Sequence, residues 1–263
     1  MSHAHGVRGA EPLPVRTVTL ERPLHWLRAG WHDLARTPLA SLLHGVAFAL
    51  GGWTMLALAP HAWWLVPGAF SGCVLVAPIL CAGLYELSRR LARGERPGVG
   101  DALAAWRREA RGLVGLGVLL LALGSLWVLA SGLLFRLFVK EPLSDVRAVL
   151  AYVVVGQGEW LFFGWLLAGG LGCALVFAAT AVSPPLLLGR QVGLRTALLT
   201  SVRAVGENPA PMALWAAMIL AAILLCFATA MVGFLLVVPW LGHATWHAYR
   251  ELVVTDGVAR RVA

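Results

Sequence analysis

Met212–Tyr249 reads MALWAAMILAAILLCFATAMVGFLLVVPWLGHATWHAY. The run is apolar for almost twice the roughly 20 residues that one helix needs to cross a bilayer. One straight helix of that length would leave the membrane. The chain must therefore fold back, and Thr229–Gly233, with its small and turn-forming residues, is the expected turn. That reading makes the segment a hairpin of two spans, about 212–228 and 231–249. Its last turns carry His243, Trp246, His247, Tyr249 and Arg250, so the second arm ends in polar and amphipathic side chains.

The rest of the chain repeats the pattern. Apolar runs of spanning length fall at about 39–59, 63–84, 113–135 and 160–182. Over all 263 residues, 59% are hydrophobic and 13% charged, against roughly 25% charged in a soluble domain. Mean hydropathy is +0.78. So few charges cannot cover that much apolar surface in water, so the expected class is an all-α membrane protein. Six transmembrane helices form three hairpins, each preceded by a cytoplasmic amphipathic interfacial helix. Residues 1–22 read as a flexible N-terminal tail, 23–252 as the membrane domain and 253–263 as a C-terminal tail. Residues 1–38 are polar and amphipathic, so the first apolar span, rather than a cleavable leader, is expected to direct insertion.

The net charge is +8, and all but one (Lys140) of the 21 basic residues are arginine. With both termini inside, 18 basic residues face the cytoplasm. Only Arg136, Lys140 and Arg147 face out. That asymmetry predicts a bacterial inner-membrane protein with cytoplasmic termini. Because the arginines cluster between apolar spans, anionic phospholipid headgroups are the expected counter-charge, and nucleic acid is not an expected partner. Headgroup contacts are expected from Arg28, Arg36, Arg89, Arg90, Arg107, Arg108, Arg203 and Arg250. In the outer segment 139–159, Ser144 is expected to cap a short surface helix. Cys73, Cys81, Cys173 and Cys226 all lie within apolar spans and form no C-x-x-C pair, so they read as small buried hydrophobes.

Three cytoplasmic stretches share a theme: LRAGWHDLARTP, LAAWRREARG and LTSVRAVGENP. Aligning Trp31, Trp106 and Val202 also aligns His32, Arg107 and Arg203, and places Pro38 over Pro209. Apolar residues recur at spacings of three and four, which is an amphipathic helix suited to the headgroup layer. Pro78, Pro184 and Pro239 each follow a valine within two residues and fall late in a span, where a proline bends a helix. Gly68/Gly72, Ala47/Gly51 and the cluster Ala168, Gly169, Gly170 and Gly172 suggest close helix packing, with the fourth span near the centre.

His243 and His247 are four apart and share a helix face. His44 lies at matching depth in the first span, and Tyr85 and Glu86 end the second span on the same side. These five residues are expected near one cytoplasmic mouth. Three readings stay open: interfacial anchors, in which Glu86 pairs with Arg89 or Arg90; a polar network between helices; and a metal or haem held by His44, His243 and His247. No cofactor is the expectation, with metal or haem as the alternative. No phosphate loop, H-E-x-x-H or G-x-S-x-G is present. No acidic residue sits in the middle of a span, which argues against proton-coupled transport.

LRAGWHDL, VAPILCAGLYELSRRLARGERP, DALAAWRR, SVRAVGENPAPMALW and LGHATWHAYREL together resemble a bacterial membrane family known as domain of unknown function 2189. The resemblance runs from about Arg16 to Val253. It implies a six-span inner-membrane fold, and some members of that family are labelled cytochrome c oxidase subunit. The functional expectation is a non-enzymatic structural or accessory protein that associates with other integral membrane proteins, a respiratory oxidase among them. The alternatives are a lipid- or small-solute-handling protein with a cytoplasm-facing cavity, and the metal or haem protein.

Overall fold

The computed structural model describes residues 11–58, 80–107, 111–138 and 159–259. Within them the chain is helical: α1 (Arg22–Arg36), α2 (Pro38–Leu58), α3 (80–91), α4 (Val99–Arg107), α5 (Arg111–Phe138), α6 (Glu159–Thr180), α7 (Ser183–Gly189), α8 (Leu194–Glu207), α9 (Pro209–Ala228) and α10 (Phe234–Leu252). Four stretches are long and apolar enough to cross a membrane: Pro38–Ala57, Gly112–Leu134, Phe163–Gly189 and Pro209–Ala228. Most of the expected second span, Gly68/Gly72, Pro78, Arg108 and the Ser144 helix lie outside the described residues, as does the side chain of Arg107.

Proline sets the joints. Thr37 precedes Pro38 and Asn208 precedes Pro209, and a residue before proline is crowded out of the helical region. Both break the helix in the same way, with φ −130°, ψ 52° at Thr37 and φ −130°, ψ 53° at Asn208. Each joint turns a short helix into a spanning one. Pro184 opens the first turn of a new helix after a break at 181–182, so it marks a break rather than a bend. Pro239 lies inside α10, which continues through it.

The apolar run turns back at residues 229–233, between α9 and α10. Ala230 (φ 47°) and Met231 (φ 70°) take left-handed conformations there. Thr229 holds the turn by accepting the Gly233 N–H at 3.0 Å and donating to the Leu225 carbonyl at 2.9 Å.

The sixth expected span is α10, and it differs from the other four. His243, His247 and Arg250 interrupt its apolar character, and its buried face runs through Gly242, His243, Trp246 and Tyr249. It is the central helix among those described, packing against α1, α2, α7 and α9. Centrality was expected of the fourth span. Instead α6 turns Trp160, Phe163, Leu167, Leu171 and Leu175 outward; a methyl group on Gly170 or Gly172 would meet nothing within 4 Å among the described residues, while one on Gly169 would lie 3.0 Å from the Trp127 ring of α5. Among the described residues Ala47 and Gly51 likewise make no close approach, since Ala47 is exposed and a methyl group on Gly51 would meet nothing within 4 Å. The tight crossings lie elsewhere. A methyl group on Gly45 would overlap the Leu235 carbonyl oxygen, and one on Gly30 would lie 2.6 Å from the Ala244 backbone nitrogen. Small residues at these crossings let α2 and α1 lie directly on α10.

The core sits at the arginine-rich end. Trp26, Tyr85, Leu116, Leu186, Trp215, Trp246, Tyr249 and Leu252 form its main cluster. Further along α5, Leu126, Leu129, Leu133 and Leu137 are exposed, as lipid-facing residues are.

Residues 11–21, expected in a flexible tail, are instead strapped across this end. Leu13 N–H donates to Thr200 Oγ1 (2.9 Å) and Val18 N–H to Asn208 Oδ1 (2.7 Å), while Asn208 Nδ2 donates to the Arg16 carbonyl (3.0 Å). Val15 and Val253 form an antiparallel bridge. Hydrogen bonds from distant side chains, which no local pattern reveals, hold the strap. Asn208→Ala should speed tryptic cleavage after Arg16 several-fold, through the loss of bonds contributing about 1 kcal/mol each. Cleavage at the wild-type rate would show that the strap does not depend on them.

Candidate functional site

Asp33 lies on the buried stripe of α1 with Trp26, Gly30 and Leu34, because positions three and four apart share a face. The Gly30 contact brings that stripe against α10, and the carboxylate meets both histidines' surroundings. His247 Nε2 is 2.8 Å from Asp33 Oδ2. Ser88 of α3 donates to the same oxygen at 2.7 Å and stands 2.7 Å from His243 Nδ1. On the other side of the His243 ring, Nε2 is 2.9 Å from Ser41 Oγ of α2. Ser41 continues to Thr37 Oγ1 at 3.0 Å, and Thr37 also donates to the Asp33 carbonyl at 3.0 Å. His243 and Ser41 are fully buried, and Ser88 is 1% exposed.

Proton inventory fixes the direction of this chain. An ionised Asp33 only accepts, so Ser88 gives it its single hydroxyl proton. His243 Nδ1–H must then donate to Ser88. A neutral imidazole has one N–H, so Nε2 accepts from Ser41, and the single Thr37 hydroxyl proton is shared between Ser41 Oγ and the Asp33 carbonyl. The tautomer assigned by the network is Nδ1–H. Every member has a partner, which is what a polar group removed from water needs.

Burial pushes the Asp33 carboxyl up, but hydrogen bonds from His247 and Ser88 and the nearby imidazoles outweigh it. The group titrates below its ordinary range. A depressed carboxylate adds stability above its unfolded value, about 3.9, and loses it as pH falls through the lower folded value. The stability advantage of the wild type over Asp33→Asn should therefore be full at neutral pH and shrink below about pH 4. A constant difference between pH 7 and pH 3 would show that Asp33 is not held ionised. A second clip closes the same interface: Glu251 Oε2 accepts from Arg22 Nη2 (2.9 Å) and Trp26 Nε1 (2.7 Å).

Of the five residues expected to converge, His243 and His247 enter the network. His44 flanks it, turning Nδ1 to the Ala40 carbonyl of its own helix (2.8 Å) and packing Nε2 against Gly83. Tyr85 joins the apolar cluster instead. Glu86 pairs with Arg89 (2.6 Å) and Arg90 (2.9 Å) one turn on, and Arg90 reaches Glu95 (3.1 Å) and Asp101 (3.0 Å). Helix spacing brings those cations to Glu86, so Arg89 and Arg90 are not free for headgroups. Arg203 is likewise held by Glu207 at 2.6 Å, whereas Arg28, Arg36 and Arg250 are exposed. Asp33, Thr37, Ser41 and Ser88 were not expected at the site. The one sequence signal for Asp33 was its place as the only acid in α1, on the apolar stripe.

Among the described residues no group of three or more His, Cys, Asp or Glu is placed to hold a metal ion. Both ring nitrogens of His243 already meet serine hydroxyls, so a metal there would have to displace one of them.

These features define a helical membrane protein whose spans are joined at one end by a buried polar chain. Residues 65–189, a little under half of the chain, match the family model described as "Predicted integral membrane protein (DUF2189)", the family that the sequence resembles. The match includes Tyr85, Glu86 and Ser88 but not Asp33, Ser41 or the two histidines of α10. No curated protein and no solved structure matches the chain.

Proposed function

We propose that the chain is a non-enzymatic structural or accessory protein of the bacterial inner membrane, with both termini in the cytoplasm. In this reading it is built from three hairpins, each led by an interfacial amphipathic helix, and its partners are anionic phospholipids and other integral membrane proteins. The observation that carries the reading is His243. It is fully buried, and each ring nitrogen meets a serine from a different helix. A histidine held this way joins helices and leaves no free nitrogen for base, nucleophile or ligand chemistry. The arginine asymmetry supports the orientation. The matching joints at Thr37 and Asn208 support the repeat. The apolar groove on α6 beside Phe163, Leu166, Leu167, Gly170 and Leu171, about 460 Å³, offers a surface to an integral partner.

Full-length tagged protein, extracted from its native membrane in mild detergent, should bring down a defined integral partner. Respiratory oxidase subunits are the first to look for. Repeated recovery of the chain alone would overturn the accessory role. An absorption spectrum and metal analysis of the same sample test the haem and metal alternative, and a stoichiometric chromophore or metal would replace this reading.

A further inference from the structure

At about 100° per residue, α1 has three sides. Trp26, Gly30, Asp33 and Leu34 face α10. Leu24, Trp31 and Ala35 form an exposed apolar strip, with Leu24 46% and Trp31 49% exposed. His25, His32 and Arg36 form the third, wet side. Arg28 falls on the seam between the strip and the wet side. Protein, hydrocarbon and water thus each have a side, as they do for a helix lying at a membrane surface against its own domain.

The next helix also has an exposed apolar face. Past the Thr37 joint, Leu39, Leu43 and Leu50 of α2 are all exposed on a helix long and apolar enough to span a membrane. Trp31 is held at the border by an edge-to-face contact with Trp240 (5.8 Å), whose Nε1 donates to the Leu27 carbonyl (2.8 Å). A tryptophan fixed at such a border belongs at headgroup depth.

Charge decides the occupant. Asp33 is the only acid in α1, and it is buried in the polar chain. Arg28 and Arg36 are exposed and have no acidic partner among the described residues. Elsewhere Arg89, Arg90 and Arg203 are neutralised within the chain. α8 gives an internal comparison, since Val202 stands where Trp31 does and both helices end at matching joints. In that register Leu199 occupies the Arg28 position and Glu207 the Arg36 position. The α8 copy has a single exposed arginine without an acidic partner among the described residues, Arg195 in its first turn, where α1 has Leu24; at the two positions of the α1 pair it has a leucine and an acid.

We propose that the outward face of α1 is a docking surface for anionic phospholipid headgroups, with Arg28 at the seam as the principal contact, Arg36 as the second, and Trp31 seating the acyl-side edge. This rests on the reading of the chain as a bilayer protein. It does not depend on orientation or on a protein partner.

The test is native mass spectrometry of the full-length protein in neutral detergent, titrated with phosphatidylglycerol or phosphatidylcholine. Wild type should retain phosphatidylglycerol several-fold more tightly than phosphatidylcholine. Arg28→Gln/Arg36→Gln should weaken phosphatidylglycerol binding by roughly tenfold or more, since each basic residue near such a surface contributes a factor of about five. Phosphatidylcholine binding should be unchanged, and Arg203→Gln should stay within about twofold of wild type, its charge being already paired. Arg28→Lys/Arg36→Lys should keep most of the affinity and guards against a fold defect in the glutamine pair. Equal retention of the two lipids by wild type would overturn the proposal. So would a folded double variant with wild-type phosphatidylglycerol affinity, or an Arg203→Gln loss as large as that of the α1 pair. Because the assay uses no partner protein, its failure leaves the accessory role standing, and an unsuccessful pull-down leaves this surface standing.

Discussion

Gly45→Ala should destabilise the protein by about 3 kcal/mol or more, at the upper end of overpacking costs. Its methyl group would meet the backbone carbonyl of Leu235, not the movable end of a side chain. Backbone cannot rotate away, so α2 and α10 would have to separate. That separation would pull Ser41 from His243 as well. Pro239 contributes to this contact in a particular way. Lacking an N–H, it cannot bind the carbonyl four residues earlier, which is that of Leu235. The freed oxygen faces Gly45, where a Cα–H contact is the available compensation. Gly51→Ala, six residues on, meets nothing within 4 Å among the described residues and should be neutral to slightly stabilising. Heat unfolding in detergent, followed by circular dichroism, measures both. Similar melting of the two variants would mean that α2 does not lie against α10 as described.

His243→Ala should cost about 3 kcal/mol, and His247→Ala only about 1 kcal/mol. Hydrogen bonds between membrane helices average roughly 0.6 kcal/mol, so bond loss alone predicts a small effect. The larger expectation for His243 comes from what remains behind. Two buried serine hydroxyls would each lose one bond, Ser88 keeping only Asp33 and Ser41 only Thr37, beside a space the size of an imidazole. His247 is partly exposed, its side chain retaining 30% accessibility, so water replaces its bond to Asp33. The order of the two effects separates a helix lock from a ligand pair. If both histidines served one bound group, removing either would have a similar effect and would release that group. Equal losses, accompanied by loss of a bound metal, would therefore refute the lock.

Much of the architecture follows rules that act along the chain. Apolar length identifies the membrane helices. The excess length of Met212–Tyr249 requires a turn, and the chain turns at 229–233. Proline after Thr37 and Asn208 interrupts each helix where the dihedral angles show the break. The Glu86 pairing with Arg89 and Arg90 is also local, because spacings of three and four place those groups together on any helix. The site was only half legible for the complementary reason. His243 and His247 stood out by spacing, but Thr37, Ser41 and Ser88 are ordinary hydroxyl residues with no pattern of their own. Small residues misled in the same way. The glycine-rich fourth span looked central, whereas single glycines at 30 and 45 make the close crossings.

Hydropathy and proline position by themselves determined a helical membrane protein, its turn at 229–233 and the helix breaks at Thr37 and Asn208, since each acts over one helix length or less. Only the tertiary structure decided that α10 is the centre of the described helices, that Asp33 meets His247 directly and His243 through Ser88, and which arginines remain unpaired. Those outcomes depend on residues more than 200 positions apart, such as Ser41 with His243 and Asp33 with His247. Whether such side chains meet is set by how closely two helix backbones approach, and no sum along the chain contains that distance.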